Sequence, residues 1–312
     1  MHQHFIHNQW VGKGDTIDVT DPSTGEVYDS ILRGTAEDID AAVRSARQAY
    51  EGEFGQLTAA ERGRLLMKLS AKLQEHAEEL AQIEARDCGK PLKQARADAV
   101  AIARYFEFYG GAADKLMGTT IPYQNGYTVL CIREPYGVAA AIVPWNYPMQ
   151  IFGRSVGGAL AAGNTVVVKP AEDACLSLLR IAELARDVGF PAGALNIVTG
   201  YGHEAGAELV AHPGIDHVSF TGSPNVGKLV VQAAIENHTP VTTELGGKSP
   251  QIVFEDADLD AMLPVVVNAI VQNAGQTCSA GSRLLVQRSI YETVIAKLAE
   301  RFNALRVGSS QM

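Results

Sequence analysis

From Gly137 onward the chain alternates short apolar runs with amphipathic stretches, and this alternation leaves it few ways to fold. The runs 138–143, 165–168, 194–198, 217–221, 241–245 and 251–254 have the length and composition of strands. Helical spacing over 149–162, 174–188, 203–211, 224–236 and 258–273 separates most of them. Strands that alternate with helices predict a parallel sheet covered by helices on both faces. Ligands of such sheets bind beyond the carboxyl ends of the strands. Asn146, Lys169, Ser223 and Glu244 fall at those ends.

Upstream of Gly137 the pattern is different. Residues 1–33 read as short strands with a turn at Asp21-Pro22-Ser23-Thr24-Gly25. Thr35 with Asp38, and Thr58 with Glu61, are capping-box patterns at helix starts. Helical spacing holds over 36–52, 59–75 and 77–87, then, past the break at Gly89 and Pro91, over 92–116. Tyr105, Phe106, Phe108 and Tyr109 on that last helix read as packing residues. Asn125-Gly126, flanked by 121–123 and 127–132, predicts a hairpin over 119–134. It is either a plain surface hairpin or an arm that pairs with another subunit.

A chain of 312 residues has room for about two domains. Its net charge of -9 argues against nucleic acid or an anionic membrane surface as partner. No apolar run has the length of a membrane span. The N-terminus has no basic-then-apolar pattern of a signal peptide. Cys88, Cys131, Cys175 and Cys278 show no paired spacing, so reduced thiols and a cytoplasmic location are expected rather than a disulfide framework. The histidines form no HExxH pattern, and no metal site is expected. His2, His4 and His7 alternate near the terminus and read as solvated.

Several stretches carry residues suited to chemistry, each with a plainer alternative. Pro144-Trp145-Asn146-Tyr147-Pro148 follows a strand and precedes a helix. Two prolines stiffen the turn around the Asn146 amide, a donor of the kind an oxyanion hole uses; a turn asparagine looks the same. Lys169 at a strand end suits a ribose or phosphate oxygen, and Glu172 suits ribose hydroxyls while repelling a 2′-phosphate. An exposed pair at a helix start is the alternative. Phe220-Thr221-Gly222-Ser223 followed by a helix start offers backbone N–H groups to a pyrophosphate, although it is not a GxGxxG fingerprint. Gly202 and Gly206 after Gly200 are a similar signal, or tight-turn glycines. Glu244 precedes Gly246 and Gly247, a carboxylate placed to act as a base. Cys278 lies in Gly275-Gln276-Thr277-Cys278-Ser279-Ala280-Gly281, a small, glycine-bounded loop suited to a nucleophile, although lone cysteines usually serve as small core residues.

Taken together, PWN at 144–146, KPAE at 169–172, FTGS at 220–223, ELGGKSP at 244–250 and GQTC at 275–278 resemble the NAD(P)-dependent aldehyde dehydrogenase superfamily, in order and spacing, from about residue 5 to the end. The resemblance implies that the Cys278 thiolate attacks an aldehyde and that Asn146 and the Cys278 N–H stabilise the oxyanion. It also implies that Glu244 activates water to hydrolyse the resulting thioester. A glutamate at that position marks the hydrolytic branch; look-alikes that pass the acyl group to coenzyme A generally lack it. For the cofactor the resemblance implies Ile142, Val143, Pro144, Trp145 and Asn146, with Lys169 and Glu172 at the adenine ribose. Gly202, Gly206, Phe220, Thr221, Gly222, Ser223, Val226, Gly227, Leu245 and Gly246 complete that set, with Ser223 facing the pyrophosphate. Glu172 favours NAD over NADP.

The implied fold is α/β. A doubly wound, Rossmann-like NAD-binding domain spans 1–118 and 136–244, a projecting oligomerisation hairpin spans 119–135, and an incomplete α/β catalytic domain spans 245–312. A homodimer or homotetramer acting on a small-molecule aldehyde is the family expectation. Two departures stand out. Many members carry a lysine after an aromatic residue in the helix following PWN, where this chain reads Ile151-Phe152-Gly153-Arg154-Ser155. That substitution bears on the aldehyde entrance and on proton release, and leaves the substrate class open. Family chains are also about half as long again, a deficit of about one domain, and the later Glu-x-Phe-Gly-Pro motif is absent. The chain therefore reads as truncated. A non-catalytic NAD-binding remnant and an acylating enzyme using coenzyme A are the alternatives to the active hydrolytic enzyme.

Overall fold

The computed structural model describes residues 1–311. Four strands open the chain: β1 (His4–Ile6), β2 (Gln9–Val11), β3 (Thr16–Asp21) and β4 (Glu26–Leu32). β3 and β4 pair antiparallel around the 21–25 turn, where the Asp21 carbonyl accepts from the Gly25 N–H. Helices α1 (Ala36–Glu51), α2 (Ala59–Glu75), α3 (Ala77–Cys88) and α4 (Leu92–Ala112) follow. Thr35 and Asp38 cap α1 reciprocally, and Thr58 and Glu61 do the same for α2. Each cap satisfies N–H groups that the helix itself leaves open and contributes about 1 kcal/mol.

The hairpin forms, but not in the register that Asn125-Gly126 predicts. Strands β5 (Thr119–Ile121) and β6 (Val129–Cys131) pair with Thr119 opposite Cys131 and Ile121 opposite Val129. A two-residue turn would have set Ile121 against Leu130. Gly126 has φ +87 while Asn125 stays at negative φ, so the two-residue turn that needs both at positive φ is not made. The Tyr127 N–H still bonds the Gln124 carbonyl, closing a β-turn around Asn125-Gly126 at the tip of a longer loop.

The alternating half gives β7 (Val138–Val143), α5 (Pro148–Ala161), β8 (Thr165–Pro170), α6 (Leu176–Asp187), β9 (Leu195–Ile197), α7 (Ala207–Ala211), β10 (His217–Gly222), α8 (Pro224–Ile235) and β11 (Val241–Leu245). The strands lie in the order β11-β10-β7-β8-β9-β1-β2, with β7 to β11 parallel and β1 and β2 added antiparallel at one edge. Order reverses between β7 and β10, the switch point of a doubly wound sheet. Alternate residues feed two cores. Val143, Val166 and Val168 face the side packed by α2 to α6, and Val138, Val167 and Phe220 face the side packed by α1, α7 and α8. The α4–α5 contact is close because Gly157 carries no Cβ; one placed there would lie 2.9 Å from the Tyr109 ring.

A second unit begins after β11. β12 (Pro250–Val253) and β13 (Arg283–Val286) form a two-stranded parallel sheet with α9 (Leu259–Val271) and α10 (Tyr291–Asn303). Leu263, Val266, Val294 and Leu298 are its core. Ile252, Phe254, Val265 and Leu285 of this unit stay exposed.

Two further expectations change. The helix expected over 203–211 starts as a π-helical turn, Gly202–Gly206, before α7. His4 is buried rather than solvated: Nδ1 lies 3.0 Å from Thr199 Oγ1 and Nε2 3.4 Å from Asp38. Strand β1 joins the sheet edge, and its inward-facing histidine is partnered across the seam with α1. Burial pushes its pKa down, against the pull of Asp38.

Candidate active site and cofactor cleft

The carboxyl ends of the parallel strands are level with one another. Ile142 on β7 pairs with Lys169 on β8 and with Phe220 on β10, and Thr221 and Gly222 on β10 pair with Glu244 and Leu245 on β11. Local pairing thus brings four separate motifs to one rim of the sheet, at the switch point.

Lys169 is buried at the end of β8, and its ammonium needs a partner there. Glu172 supplies one, with Nζ and Oε2 2.7 Å apart. Burial pushes the Glu172 carboxyl up, but the Lys169 charge and hydrogen bond outweigh it and hold it below the usual range. The π-helical turn passes over this pair. A Cβ added to Gly202 would lie 3.9 Å from Lys169 Nζ, and one added to Gly206 would lie 3.6 Å from its Cδ. The glycines leave the space above this ion pair free of side chains.

At β10 the chain turns through Gly222 into α8. Ser223 is the N-cap: its Oγ accepts from the Val226 N–H at 3.3 Å. Pro224 occupies the first turn of α8, and Ser223 and Val226 are exposed at this positive helix end. Gly227 allows Leu245 to lean over the helix, since a Cβ there would meet Leu245 Cδ2 at 2.8 Å. Phe220 is buried beneath Gly222. Gly246 is exposed beside this end.

The turn 144–147 joins β7 to α5, with Trp145 exposed and Asn146 half-buried. Asn146 Nδ2 donates to the Gln276 carbonyl at 2.8 Å, and the Asn146 carbonyl accepts from Asn273 Nδ2 at 2.9 Å. Tyr147 OH lies 2.9 Å from Thr277 Oγ1 and accepts from Gln272 Nε2 at 3.3 Å. These contacts dock the Cys278 loop onto the turn. The loop can approach because Asn273, Ala274 and Gly275 take left-handed conformations, φ 51, 54 and 81, which reverse the chain after α9. The Cys278 carbonyl accepts from the Gly247 N–H at 3.2 Å, tying in the segment that follows Glu244. Cys278 and Glu244 are both exposed at this junction.

The structure therefore joins Asn146, the Cys278 loop and the Glu244–Gly247 segment by hydrogen bonds at the carboxyl rim of the sheet, and sets Lys169, Glu172, Gly202 and Gly206 together at the end of β8 on the same rim. Arg154 does not join them. It lies with Ser155, Ser219 and Thr242 around a separate depression between α5 and the sheet. Sequence reasoning missed Asn273, Gln276, Thr277 and Gly247 as the residues that join the segments; only their closeness to Cys278 and Glu244 hinted at it. Among the described residues, no group of three or more His, Cys, Asp or Glu side chains is placed to hold a metal ion. Among the same residues, no helix is long and apolar enough to cross a membrane.

The sequence matches the family described as Aldehyde dehydrogenase family over residues 10–312. It is 45% identical over 291 residues to aldehyde dehydrogenase family 2 member B4, mitochondrial, of Arabidopsis thaliana, covering 92% of this chain and 54% of that protein. It is 44% identical over 307 residues to the hydroxyisobutyraldehyde dehydrogenase of Mycolicibacterium austroafricanum, covering 97% of this chain and 60% of that one. A solved Burkholderia cenocepacia chain described as a candidate aldehyde dehydrogenase superposes with TM-score 0.98 at 69% identity, over 99% of this chain and 65% of that chain. The NAD+ complex of an aldehyde dehydrogenase from Bacillus cereus superposes with TM-score 0.98 at 43% identity, over 100% and 64%. The chain thus spans between 54% and 65% of the length of these relatives.

Proposed function

Because the chain belongs to the aldehyde dehydrogenase family, we propose that it is the cofactor-binding and nucleophile-bearing part of an enzyme that oxidises a small aldehyde to the carboxylic acid with NAD. One observation carries the reading. The Asn146 amide donates to the Cys278 loop and that loop accepts from the Gly247 N–H, at the carboxyl rim of the sheet. The Bacillus cereus relative holds NAD+. Lys169, Glu172 and the glycines above them are a fit for its adenine ribose, with Glu172 disfavouring a 2′-phosphate. The Ser223-capped end of α8 is a fit for its pyrophosphate.

NAD, when bound, supplies the acceptor for the hydride. The chain's own groups do the rest. Cys278 Sγ, as thiolate, forms a bond to the aldehyde carbon, and the carbonyl electron pair moves onto oxygen. Asn146 Nδ2 and the Cys278 N–H donate to that oxygen, provided Asn146 exchanges its resting bond to Gln276 for the substrate. At the thioester stage Glu244 takes a proton from water. The water oxygen attacks the acyl carbon, and the Cys278 thiolate leaves with the S–C electron pair.

The domain division at 1–118 with 136–244, the arm at 119–135, and the catalytic part from 245 onward is part of the same proposal. Exposed Ile121, Tyr123, Tyr127, Leu130 and Ile132 on the arm support a contact with another subunit in a homodimer or homotetramer. A cytoplasmic location goes with the free thiols. The test is NADH formation from a short aliphatic and an aromatic aldehyde, by this chain and by its Cys278→Ala variant. Time-dependent NADH that vanishes in the variant supports the reading. Binding of NAD without turnover assigns the 312-residue form to cofactor binding alone. Turnover that requires coenzyme A assigns it to acyl transfer.

A further inference from the structure

Beneath the Asn146 turn lies a charged cluster with no exposed atom. Lys90 Nζ bonds Glu84 Oε1 at 2.5 Å and Asp98 Oδ2 at 2.7 Å, and all three side chains are fully buried. The segment 84–98, which links α3 to α4, grips the segment 145–150 at four points. Cys88 Sγ donates to the Trp145 carbonyl at 3.1 Å. Lys90 Nζ sits 4.7 Å from the centre of the Tyr147 ring. Glu84 Oε2 accepts from the Met149 N–H at 3.1 Å. Asp98 Oδ1 accepts from Gln150 Nε2 at 2.6 Å.

Stability alone does not account for this cluster. Apolar residues of the same volume commonly stabilise a core as well or better, because buried charges lose their hydration. Burial does push the Glu84 carboxyl up, against the pull of Lys90. A charged cluster supplies direction instead. The bonds to the Met149 N–H and to Gln150 Nε2 fix the first turn of α5, and Lys90 lies against the Tyr147 ring, so the cluster sets how the 144–148 turn enters the helix. Asn146 is then held between two layers, the cluster below and the Cys278 loop above.

We propose that Glu84, Lys90 and Asp98 are positioning residues that orient the 144–148 turn, so that the Asn146 amide faces the loop carrying Cys278. The proposal rests on the reading of Asn146 as the oxyanion donor, but its geometry can be tested without turnover. Cys278 is exposed, and its reactivity reports how the loop is held. Cys131, exposed on the hairpin of the single chain, is a second thiol whose rate shows whether a variant alters reagent access or subunit pairing, while buried Cys175 reports unfolding.

The experiment follows alkylation of each thiol by iodoacetamide, peptide by peptide, in the full chain. It compares Asp98→Asn, Lys90→Met and Asn146→Ala with the two combinations that include Asn146→Ala. Asp98→Asn and Lys90→Met are each expected to change the Cys278 rate by about threefold or more, and to add nothing once Asn146→Ala is present. Cys131 should keep its rate and Cys175 should stay unlabelled. An unchanged Cys278 rate in both single variants overturns the proposal. So do effects that multiply with that of Asn146→Ala, because the cluster then acts on the fold at large. Where Lys90→Met labels Cys175, Asp98→Asn carries the test, since it keeps the shape and an oxygen for Gln150. NADH formation by the unsubstituted chain decides the aldehyde reading; the labelling ratios decide the positioning.

Discussion

The side-chain amide of Asn146 donates to the main-chain carbonyl of Gln276 across 2.8 Å, joining the turn after β7 to the loop that carries Cys278. The same amide is the oxyanion donor of the function proposed above, and in that role it would give up this bond to the substrate. Asn146→Ala should lower unfolding free energy by about 1 kcal/mol, as for one lost hydrogen bond. It should lower kcat for aldehyde oxidation by about a hundredfold or more. Denaturant unfolding and NADH formation measure the two. A large stability loss with unchanged kcat would make Asn146 a packing residue.

Cys278→Ser removes the thiol at an exposed position. Stability should change by no more than about 0.5 kcal/mol, and NAD should still bind. NADH formation should fall to background. Calorimetric titration with NAD, run beside the turnover assay, separates loss of chemistry from loss of the cofactor.

The Lys169–Glu172 pair should set cofactor choice. Glu172→Gln removes the carboxylate but keeps its shape. It should narrow the preference for NAD over NADP by about tenfold or more, since the lost repulsion toward a 2′-phosphate is on the order of 1 kcal/mol or more. Gly206→Val should weaken both cofactors, because its side chain would grow into the space over Lys169. Equal affinities for the parent and both variants would move the adenine site elsewhere.

Asp87 should make stability fall as pH rises. It is buried beside α6, accepting from the Leu176 N–H at 2.9 Å and the Tyr28 hydroxyl at 3.1 Å. Burial nevertheless raises its pKa from 3.8 to about 7. Between those values the unfolded chain has lost the Asp87 proton and the folded chain keeps it. The folded state therefore binds more protons, and this residue removes up to about 1.4 kcal/mol of stability per pH unit across that window. Below the window its contribution is constant. Asp87→Asn should flatten the pH dependence of the unfolding free energy between the two values. An identical slope in the variant would assign the pH dependence to other groups.

Much of this was legible from residue order. The capping pairs Thr35–Asp38 and Thr58–Glu61, the helices they start, and the strands that carry Ile142, Lys169, Phe220 and Glu244 near their carboxyl ends depend on interactions a few residues apart. Local spacing records such interactions directly. The alternation also implied a parallel sheet, and that placed the polar motifs at its carboxyl rim. The hairpin signal Asn125-Gly126 located the turn but not the register, because the loop found a longer path with Gly126 alone at positive φ.

The sequence by itself determined the elements, the family and the residue types offered at each strand end, since each follows from short-range pattern or motif order. Only the tertiary structure decided which segments meet. Asn146 and Gln276 stand 130 positions apart, and nothing between them carries a periodic sign that the amide of one will donate to the carbonyl of the other. Nothing near His4 shows that β1 will cross to the sheet edge and bury it against Thr199, or that Lys90 will lose all contact with water under Tyr147. Such contacts depend on how whole layers stack. Burial and partnering are properties of the packed chain and of no single stretch of it.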